Sequence, residues 1–260
     1  MMKASRNELM ALFKQAFEGV GFDFGGYENA ADMIIWTQMH GLNSFDSIRH
    51  RMSVFAQRKR LLVEQLAPDT LVLDAKDNSV IDAKGNSSIV AAGMAFNIAY
   101  VNAIQSGVAN VSVLNCYDRK LAIKTLVDCA NRGFVCLAYW RDAESLHVIT
   151  SDTGACCPAY CQYKLEDLEG SDCLNEKHQQ TLFVVCASHA SGLQQYISNN
   201  LPELKGNQGF VISPTMMKSS YTAALTNGIE IDRGFWQELA ILGRAVLVES
   251  TEQSRMGAGA

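Results

Sequence analysis

Residues 86–140 constrain the fold more than any other stretch, because they alternate between helical and extended patterns. Small and apolar residues recur at helical spacing over 88–106, and a β-branched run follows at 110–115. A second helical pattern spans 119–131, and the almost wholly apolar segment 134–139 is typical of a strand covered on both faces. Two strands joined by a helix of this length are expected to run parallel with a right-handed crossover.

The loop after the first of these strands is the predicted ligand site, because ligands bind beyond the carboxyl ends of strands in α/β sheets. Asp118 is a side chain of the N-cap type, so we predict that it caps a helix beginning at Arg119. A helix N-terminus also attracts anions, which favours an acidic ligand here. The residues predicted to form this site are Asn115, Cys116, Tyr117, Asp118, Arg119 and Lys120.

Composition and charge narrow the class of protein. The 260 residues are 48% hydrophobic and 19% charged with a net charge of −5, which is typical of a globular protein and disfavours nucleic-acid binding. No apolar run reaches transmembrane length, and the N-terminus lacks the pattern of a signal peptide. The eight cysteines are therefore expected to be reduced thiols. We expect a cytoplasmic protein of bacterial type, without a nucleic-acid or membrane partner.

The patterns divide the chain into three parts. Residues 1–67 are predicted to form an N-terminal helical segment, 68–250 an α/β core with a mixed sheet, and 251–260 a polar tail. No proline-, glycine- or serine-rich linker interrupts the core, so the helical segment and the core are expected to fold as one unit. The repeated motifs LVLDA and SVIDA predict a β-hairpin, whereas 151–180 is predicted to be irregular.

The N-terminal segment is predicted to contain three helices. Ser5 and Glu8 have the spacing of a capping box at the first helix. Glycines at 19, 21, 25 and 26 are expected to form the turn before a second helix over 27–40, and a partly basic third helix over 44–66 is expected to lie on the surface. Three short helices can hardly bury the apolar faces of the first two, so we predict a homodimer.

Three stretches in the first half of the chain resemble the malate/L-lactate/sulfolactate dehydrogenase family in their order and spacing. They are GLNSFDSIRHRM, LVLDAKDNSVIDAKGN with the helix that follows it, and CANRGFVCLAYW. The resemblance covers roughly residues 5–140, and the second half does not show the family's Gly-Thr-Asn-Pro segment. The resemblance implies a mixed α/β fold different from the usual Rossmann fold, an NAD or NADP cofactor, a small hydroxy or keto acid as substrate, and a homodimer.

Both histidines of the family's pattern are absent from this chain. Where the family has Ser-His-Gly, this chain has Ser44 followed by Phe45, and Asp118 stands where the family has its second histidine. If the protein is an enzyme, Ser44 and Asn115 keep family-matched ligand positions. Asp118 would then transfer the proton, and Arg119 would hold the substrate carboxylate with two hydrogen bonds.

Two functions remain open on the sequence alone. The first is a divergent NAD(P)-dependent oxidoreductase that acts on a small hydroxy or keto acid. The second is a non-catalytic small-molecule-binding or structural protein that kept the fold and lost both histidines. Phenylalanine cannot accept a proton, and an exposed aspartate with a pKa near ~3.9 is a weak base at neutral pH. The missing histidines therefore favour the second function as far as the family's own reaction is concerned.

Other cysteines and histidines that could bind a metal or act as a base are better explained by structural roles. Cys156, Cys157 and Cys161 lie close together in the sequence, but their spacing matches no standard zinc motif, so we predict no metal site. His147 lies within an apolar strand pattern, and His189 precedes a helical one. A histidine in such a position more often makes a structural hydrogen bond than acts as a catalytic base.

Overall fold

The structure is a computed structural model, and it describes residues 1–57, 71–73, 78–168, 175, 178–201 and 210–244. The strands are β1 (Met2–Ala4), β2 (Leu71–Leu73), β3 (Asn78–Asp82), β4 (Val108–Leu114), β5 (Val135–Arg141), β6 (Ser145–Ser151), β7 (Ala159–Lys164), β8 (Leu182–Ala187), β9 (Phe210–Ile212) and β10 (Ile229–Ile231). The helices are α1 (Arg6–Gly19), α2 (Phe24–Met39), α3 (Ser44–Gln57), α4 (Ser88–Ser106), α5 (Ala122–Ala130), α6 (Ala190–Asn200), α7 (Pro214–Asn227) and α8 (Arg233–Arg244).

A mixed sheet in the strand order β2-β3-β4-β8-β5-β6-β7-β9 forms the centre of the fold. The predicted mixed α/β class is therefore confirmed. The predicted hairpin is also present, because β2 pairs antiparallel with β3 and Leu71 lies opposite Ile81. Strands β3 and β4 pair in parallel and are joined by α4. Long α4 covers the sheet because its small residues, such as Ala92, Ala95 and Ala99, allow close packing on β4 and β8.

The two strands predicted within residues 86–140 run parallel, as expected, but they are not neighbours in the sheet. Strands β4 and β5 run in the same direction, but β8 lies between them and pairs antiparallel with both. The apolar strand β8 is contributed by a segment far along the chain, and its position depends on tertiary packing. Since β4 and β5 still point the same way, their carboxyl ends meet at one edge of the sheet.

One prediction for the N-terminal helices is corrected. Helix α2 begins at Phe24, because the Asp23 side chain accepts a hydrogen bond of 2.7 Å from the Gly26 backbone N–H. Gly25 and Gly26 therefore lie in its first turn. Helix α3 lies at the surface as predicted, with Asp46, Arg49 and His50 exposed, and it buries one apolar face along its length. That face consists of Phe45, Ile48, Met52 and Phe55.

The apolar faces of α1 and α2 are buried within the chain, which removes the reason given for a dimer. Helix α1 packs against α2 and against α8, and short β1 pairs antiparallel with β10. Among the described residues, exposed large apolar side chains lie on several elements, including Phe24 at the start of α2 and Leu225 on α7. Helix α4 carries three of them, Met94, Val101 and Ile104. Contrary to the expectation that no apolar run reaches transmembrane length, α4 is long and apolar enough to cross a membrane. Core helices that pack on a sheet, as α4 does, can meet the same criterion.

The segment predicted to be irregular contains one further strand. Strand β7 pairs antiparallel with β6 and with β9, so that 159–164 belong to the sheet. Its alternating burial is interrupted by polar residues, which hid the strand pattern. The predicted end of the third helix at 58–66 and the tail 251–260 lie outside the described residues.

Candidate functional site at the carboxyl edge of the sheet

The loop 115–120 lies at the carboxyl end of β4, held by backbone hydrogen bonds on both sides. The Cys116 N–H donates to the Gln180 carbonyl over 2.8 Å, and the Ser88 N–H donates to the Tyr117 carbonyl over 2.8 Å. Asn115 adopts a left-handed backbone with φ of 51°, and its side-chain amide donates to Asp82 over 2.9 Å. The loop is therefore a fixed structure between the start of α4 and the segment that precedes β8.

Asp118 does not cap a helix as predicted. Its backbone is left-handed, its side chain makes no capping hydrogen bond, and a 3-10 turn at Arg119–Leu121 separates it from α5. Its carboxylate accepts a hydrogen bond of 3.1 Å from the Arg51 Nε, and the two side chains are only 11% and 16% exposed. The sequence could not predict this pair, because Arg51 belongs to α3.

Two other residues of the loop, Tyr117 and Cys116, are also held within the packed structure. The Arg51 guanidinium lies over the Tyr117 ring, 4.6 Å from its centre, in a cation–π contact. Cys116 is fully buried, and burial raises the pKa of its thiol to about 12, so it stays protonated at neutral pH. The arginine, tyrosine and aspartate thus form one packed unit.

The position at which the family has its first histidine is also part of the core. The Ser44 hydroxyl is buried and donates to the Ile34 carbonyl over 2.8 Å. The Phe45 ring is 5.5 Å from the Phe13 ring and 6.1 Å from the Phe235 ring, so it packs in an aromatic cluster. In this structure the Ser44 hydroxyl has a structural partner, and its predicted role in ligand binding stays a prediction.

Arg119 and Lys120 remain as cations at this edge. Arg119 donates to the backbone carbonyl of Gln179, and burial lowers the pKa of its guanidinium. Lys120 is half-buried, and no hydrogen bond or ion pair holds its ammonium within the described part of the chain. Burial lowers the pKa of Lys120, and nearby Asp142 opposes that shift. A cation in this state favours an anionic partner.

A hydrogen-bonded chain that the sequence did not reveal lies beside these cations. Strand β5 ends next to Asp142, whose carboxylate is 2.7 Å from the Nε2 of His147 on β6. The Nδ1 of His147 is 2.7 Å from the hydroxyl of Tyr160 on β7, and the imidazole stacks on Trp140. The sequence showed His147 only as a strand residue, and Tyr160 fell in a segment predicted to be irregular.

The charges around the Asp142–His147–Tyr160 hydrogen bonds determine the protonation state of the imidazole. Burial lowers the pKa of His147, and Lys120 and Arg119 lower it further against the opposing effect of Asp142. Burial raises the pKa of Asp142, but hydrogen bonds from His147 and from two backbone N–H groups outweigh it, so that the net shift is downward. We therefore assign a neutral imidazole that donates to Asp142 and accepts from Tyr160, which leaves it no free nitrogen.

A groove of about 970 Å³ lies between α2, α4 and α5, away from the loop. Its charged lining comprises three aspartates, one lysine and one arginine, and Lys124 is already paired with Asp32 at 2.9 Å and with Asp128 at 2.6 Å. The volume is large enough for a nucleotide. The excess of carboxylates disfavours a diphosphate, so the groove does not fit the phosphates of a nicotinamide cofactor.

The order of the sheet and the helices around it define the class: the chain has the fold of the malate and sulfolactate dehydrogenases. It is similar to the structure of malate dehydrogenase from Pyrococcus horikoshii OT3, with a TM-score of 0.63 and 11% identity over 95% of this chain and 96% of that chain. It is also similar to sulfolactate dehydrogenase from Methanocaldococcus jannaschii, with a TM-score of 0.63 and 9% identity over 93% and 96% of the two chains.

A third similar structure is the delta1-piperideine-2-carboxylate reductase from Pseudomonas syringae, with a TM-score of 0.58 and 11% identity over 93% of this chain and 100% of that chain. At such identities the likeness shows the fold alone, and it confirms the fold implied by the sequence resemblance. Residues 4–79 match a family model described as "Protein of unknown function (DUF3726)". No curated protein matches the sequence.

Proposed function

We propose that this protein is a divergent member of the malate/L-lactate/sulfolactate dehydrogenase family that binds a small carboxylate-bearing molecule without carrying out the family's reaction. The observation that carries the proposal is Lys120, a half-buried ammonium at the carboxyl edge of the sheet with no partner among the described residues. A buried ammonium without a partner is unfavourable, and a ligand carboxylate would supply the missing charge.

The neighbours of Lys120 have complementary roles in this proposal. Arg119 uses one guanidinium nitrogen on the Gln179 carbonyl, and its remaining N–H groups are donors for a second carboxylate oxygen. The Asp142 side chain is 45% exposed and held in place by His147, so it offers a fixed acceptor for a hydroxyl or amine group of the ligand. The site would thus recognise a small acid that also carries a hydrogen-bond donor.

Two observations favour binding over the family's chemistry. Phe45 packs in the aromatic core, and the Asp118 carboxylate is paired with Arg51, so neither position supplies the imidazole that the family uses. His147 already uses both ring nitrogens. Direct proton transfer between an imidazole and a substrate, which contributes roughly 10²–10⁴-fold in enzymes that use it, is therefore not available in this geometry.

The second candidate function is an NAD- or NADP-linked reduction of a small keto acid. It is supported by the fold and by the chain from Tyr160 through His147 to Asp142, which could move a proton towards the ligand. Such a reaction would take a hydride from the reduced nicotinamide and a proton from the protein and yield a hydroxy acid. The charge of the groove does not support the nicotinamide phosphates there, which places this function second.

A thermal-shift titration distinguishes the two functions. Pyruvate, oxaloacetate, NADH and NADPH are titrated separately, and a ligand at 100 times its dissociation constant should raise stability by ~2.7 kcal/mol. Stabilisation by a keto acid that is lost in Lys120→Met, but kept in the exposed-lysine control Lys218→Met, supports the carboxylate site. Equal stabilisation of Lys120→Met would refute it, and rapid NADH or NADPH oxidation with a keto acid would establish the second function.

We further propose that two copies of the chain assemble through α4. The exposed Met94, Val101 and Ile104 lie on one side of this helix, where water contact is unfavourable. This face replaces α1 and α2 as the reason to expect a homodimer, and the mass in solution tests it.

A further inference from the structure

Three buried cysteines from three different elements converge below the floor of the groove. Cys129 lies in the last turn of α5, Cys136 on β5 and Cys186 on β8. The Sγ of Cys186 is 3.3 Å from that of Cys129 and 3.9 Å from that of Cys136, and all three sulfurs lie within 4.8 Å of one another. Cys136 and Cys186 are directly opposite each other in the antiparallel pair of β5 and β8.

This spacing matches the sulfurs of a metal site. A metal–thiolate bond is about 2.3 Å long, so three thiolates around one ion in a plane are about 4.0 Å apart. The observed separations of 3.3 and 3.9 Å, with the third below 4.8 Å, span that value. A single buried cysteine acts as a small apolar residue, but filling space does not require three thiols side by side.

We propose that Cys129, Cys136 and Cys186 bind one soft metal ion, Cu(I), as a three-thiolate site. Structural zinc takes four ligands, and within the described residues no fourth cysteine, histidine or carboxylate joins this group. Thiolates are the ligands that soft ions prefer, and three of them satisfy Cu(I). Binding exchanges the thiol protons for the ion and releases them to solvent, and no electron is transferred.

The groove gives the ion a route to the site. Cys129 is part of the groove lining, and Arg132, one turn further along, lines the same groove. The guanidinium of Arg132 supplies positive charge on the side from which the ion would enter, which offsets part of the charge of the thiolates. The three-thiolate site is independent of the proposed carboxylate site, which uses none of these residues.

The test is a Cu(I) titration of the whole protein under anaerobic, reducing conditions, against a chelator that competes for Cu(I). The metal content of the recovered protein is then measured, together with the ultraviolet charge-transfer band of copper thiolates. Cys129→Ala is the main variant, because alanine suits a helix and leaves the strands intact. Cys157→Ser is the control for a buried cysteine outside the group, and Cys156→Ser the control for an exposed one.

We expect one Cu(I) per chain in the unmodified protein and in both controls, and its loss in Cys129→Ala. Cys136→Ser and Cys186→Ser should also lose the ion, and circular dichroism shows whether they remain folded. Undiminished copper in Cys129→Ala, or copper that disappears in Cys156→Ser, would overturn the proposal. It would equally be overturned if the unmodified protein prefers Zn²⁺ at the same chelator strength, or if the freshly reduced protein binds no copper.

Discussion

Replacing Asp118 by asparagine separates a structural role of this residue from a catalytic one. In the structure its carboxylate is paired with the Arg51 guanidinium at 3.1 Å, and both side chains are largely withdrawn from solvent. Asparagine keeps the size of the side chain and one oxygen acceptor but removes the charge. We therefore expect Asp118→Asn to lower the stability of the fold, because the Arg51 charge stays buried without its counter-ion.

The size of the effect follows from the burial of the pair. Removing one partner of a fully buried ion pair costs about 3–5 kcal/mol. The residual exposures of 11% and 16% allow some hydration, and the Tyr117 ring still attracts the guanidinium, so we expect about 2–3 kcal/mol. For a chain of this size, each kcal/mol lowers the melting temperature by roughly 2–4 °C. The expected decrease is therefore roughly 4–12 °C.

A double-mutant cycle with Arg51→Met measures the pair itself. The coupling free energy from chemical denaturation should be about 2 kcal/mol, since each single variant leaves the other side chain unpaired. Glu28→Gln is the control, because its pair with Lys14 is more exposed and should contribute less than about 1 kcal/mol. A melting temperature unchanged by Asp118→Asn, with a coupling near zero, would refute the reasoning. Loss of a measurable activity without loss of stability would restore the catalytic role.

Three further changes test other parts of the structure. Phe45→His should destabilise the fold by about 2–4 kcal/mol in urea unfolding, because the imidazole enters an aromatic core. The variant should not reduce keto acids. Turnover of NADH by this variant would contradict the structural role of Phe45. The pKa of His147 is lowered in the folded state, so its contribution to stability is present above its ordinary value near ~6.5 and is lost as the pH falls. His147→Phe should therefore reduce the slope of melting temperature against pH below that value. Part of the slope should remain, because burial also lowers the pKa of His40. An unchanged slope would show that His147 does not contribute to it. Val101→Glu with Ile104→Glu should convert a dimer to a monomer in sedimentation, and a dimer that persists would exclude α4 as the interface.

The elements with local signals were predictable from the sequence. The capping box of Ser5 and Glu8 and the repeated hairpin motif each act over a few residues, and the structure contains both. The location of the candidate site was also accessible in outline. A strand followed by a loop and a helix places that loop at the carboxyl edge of a sheet, whatever its neighbours are.

The roles of the individual side chains at that edge depended on the tertiary structure. Aspartate is a residue type that often caps helices. In the structure, however, Asp118 is paired with a largely buried arginine from α3, which is a stronger partner than the backbone N–H groups of the next turn. Sequence proximity grouped Cys156, Cys157 and Cys161, whereas the fold brings Cys129 and Cys186, 57 residues apart, into contact.

The sequence by itself determined the helices, most of the strands and the absence of both family histidines. Only the tertiary structure decided the place of β8 between β4 and β5, the half-buried position of Lys120, and the partners of His147 and the buried thiols. The physical reason is that helix and hairpin signals are carried by neighbouring residues, whereas strand order and buried polar contacts join distant segments. Such contacts form only when the whole core excludes water, so no local pattern specifies them.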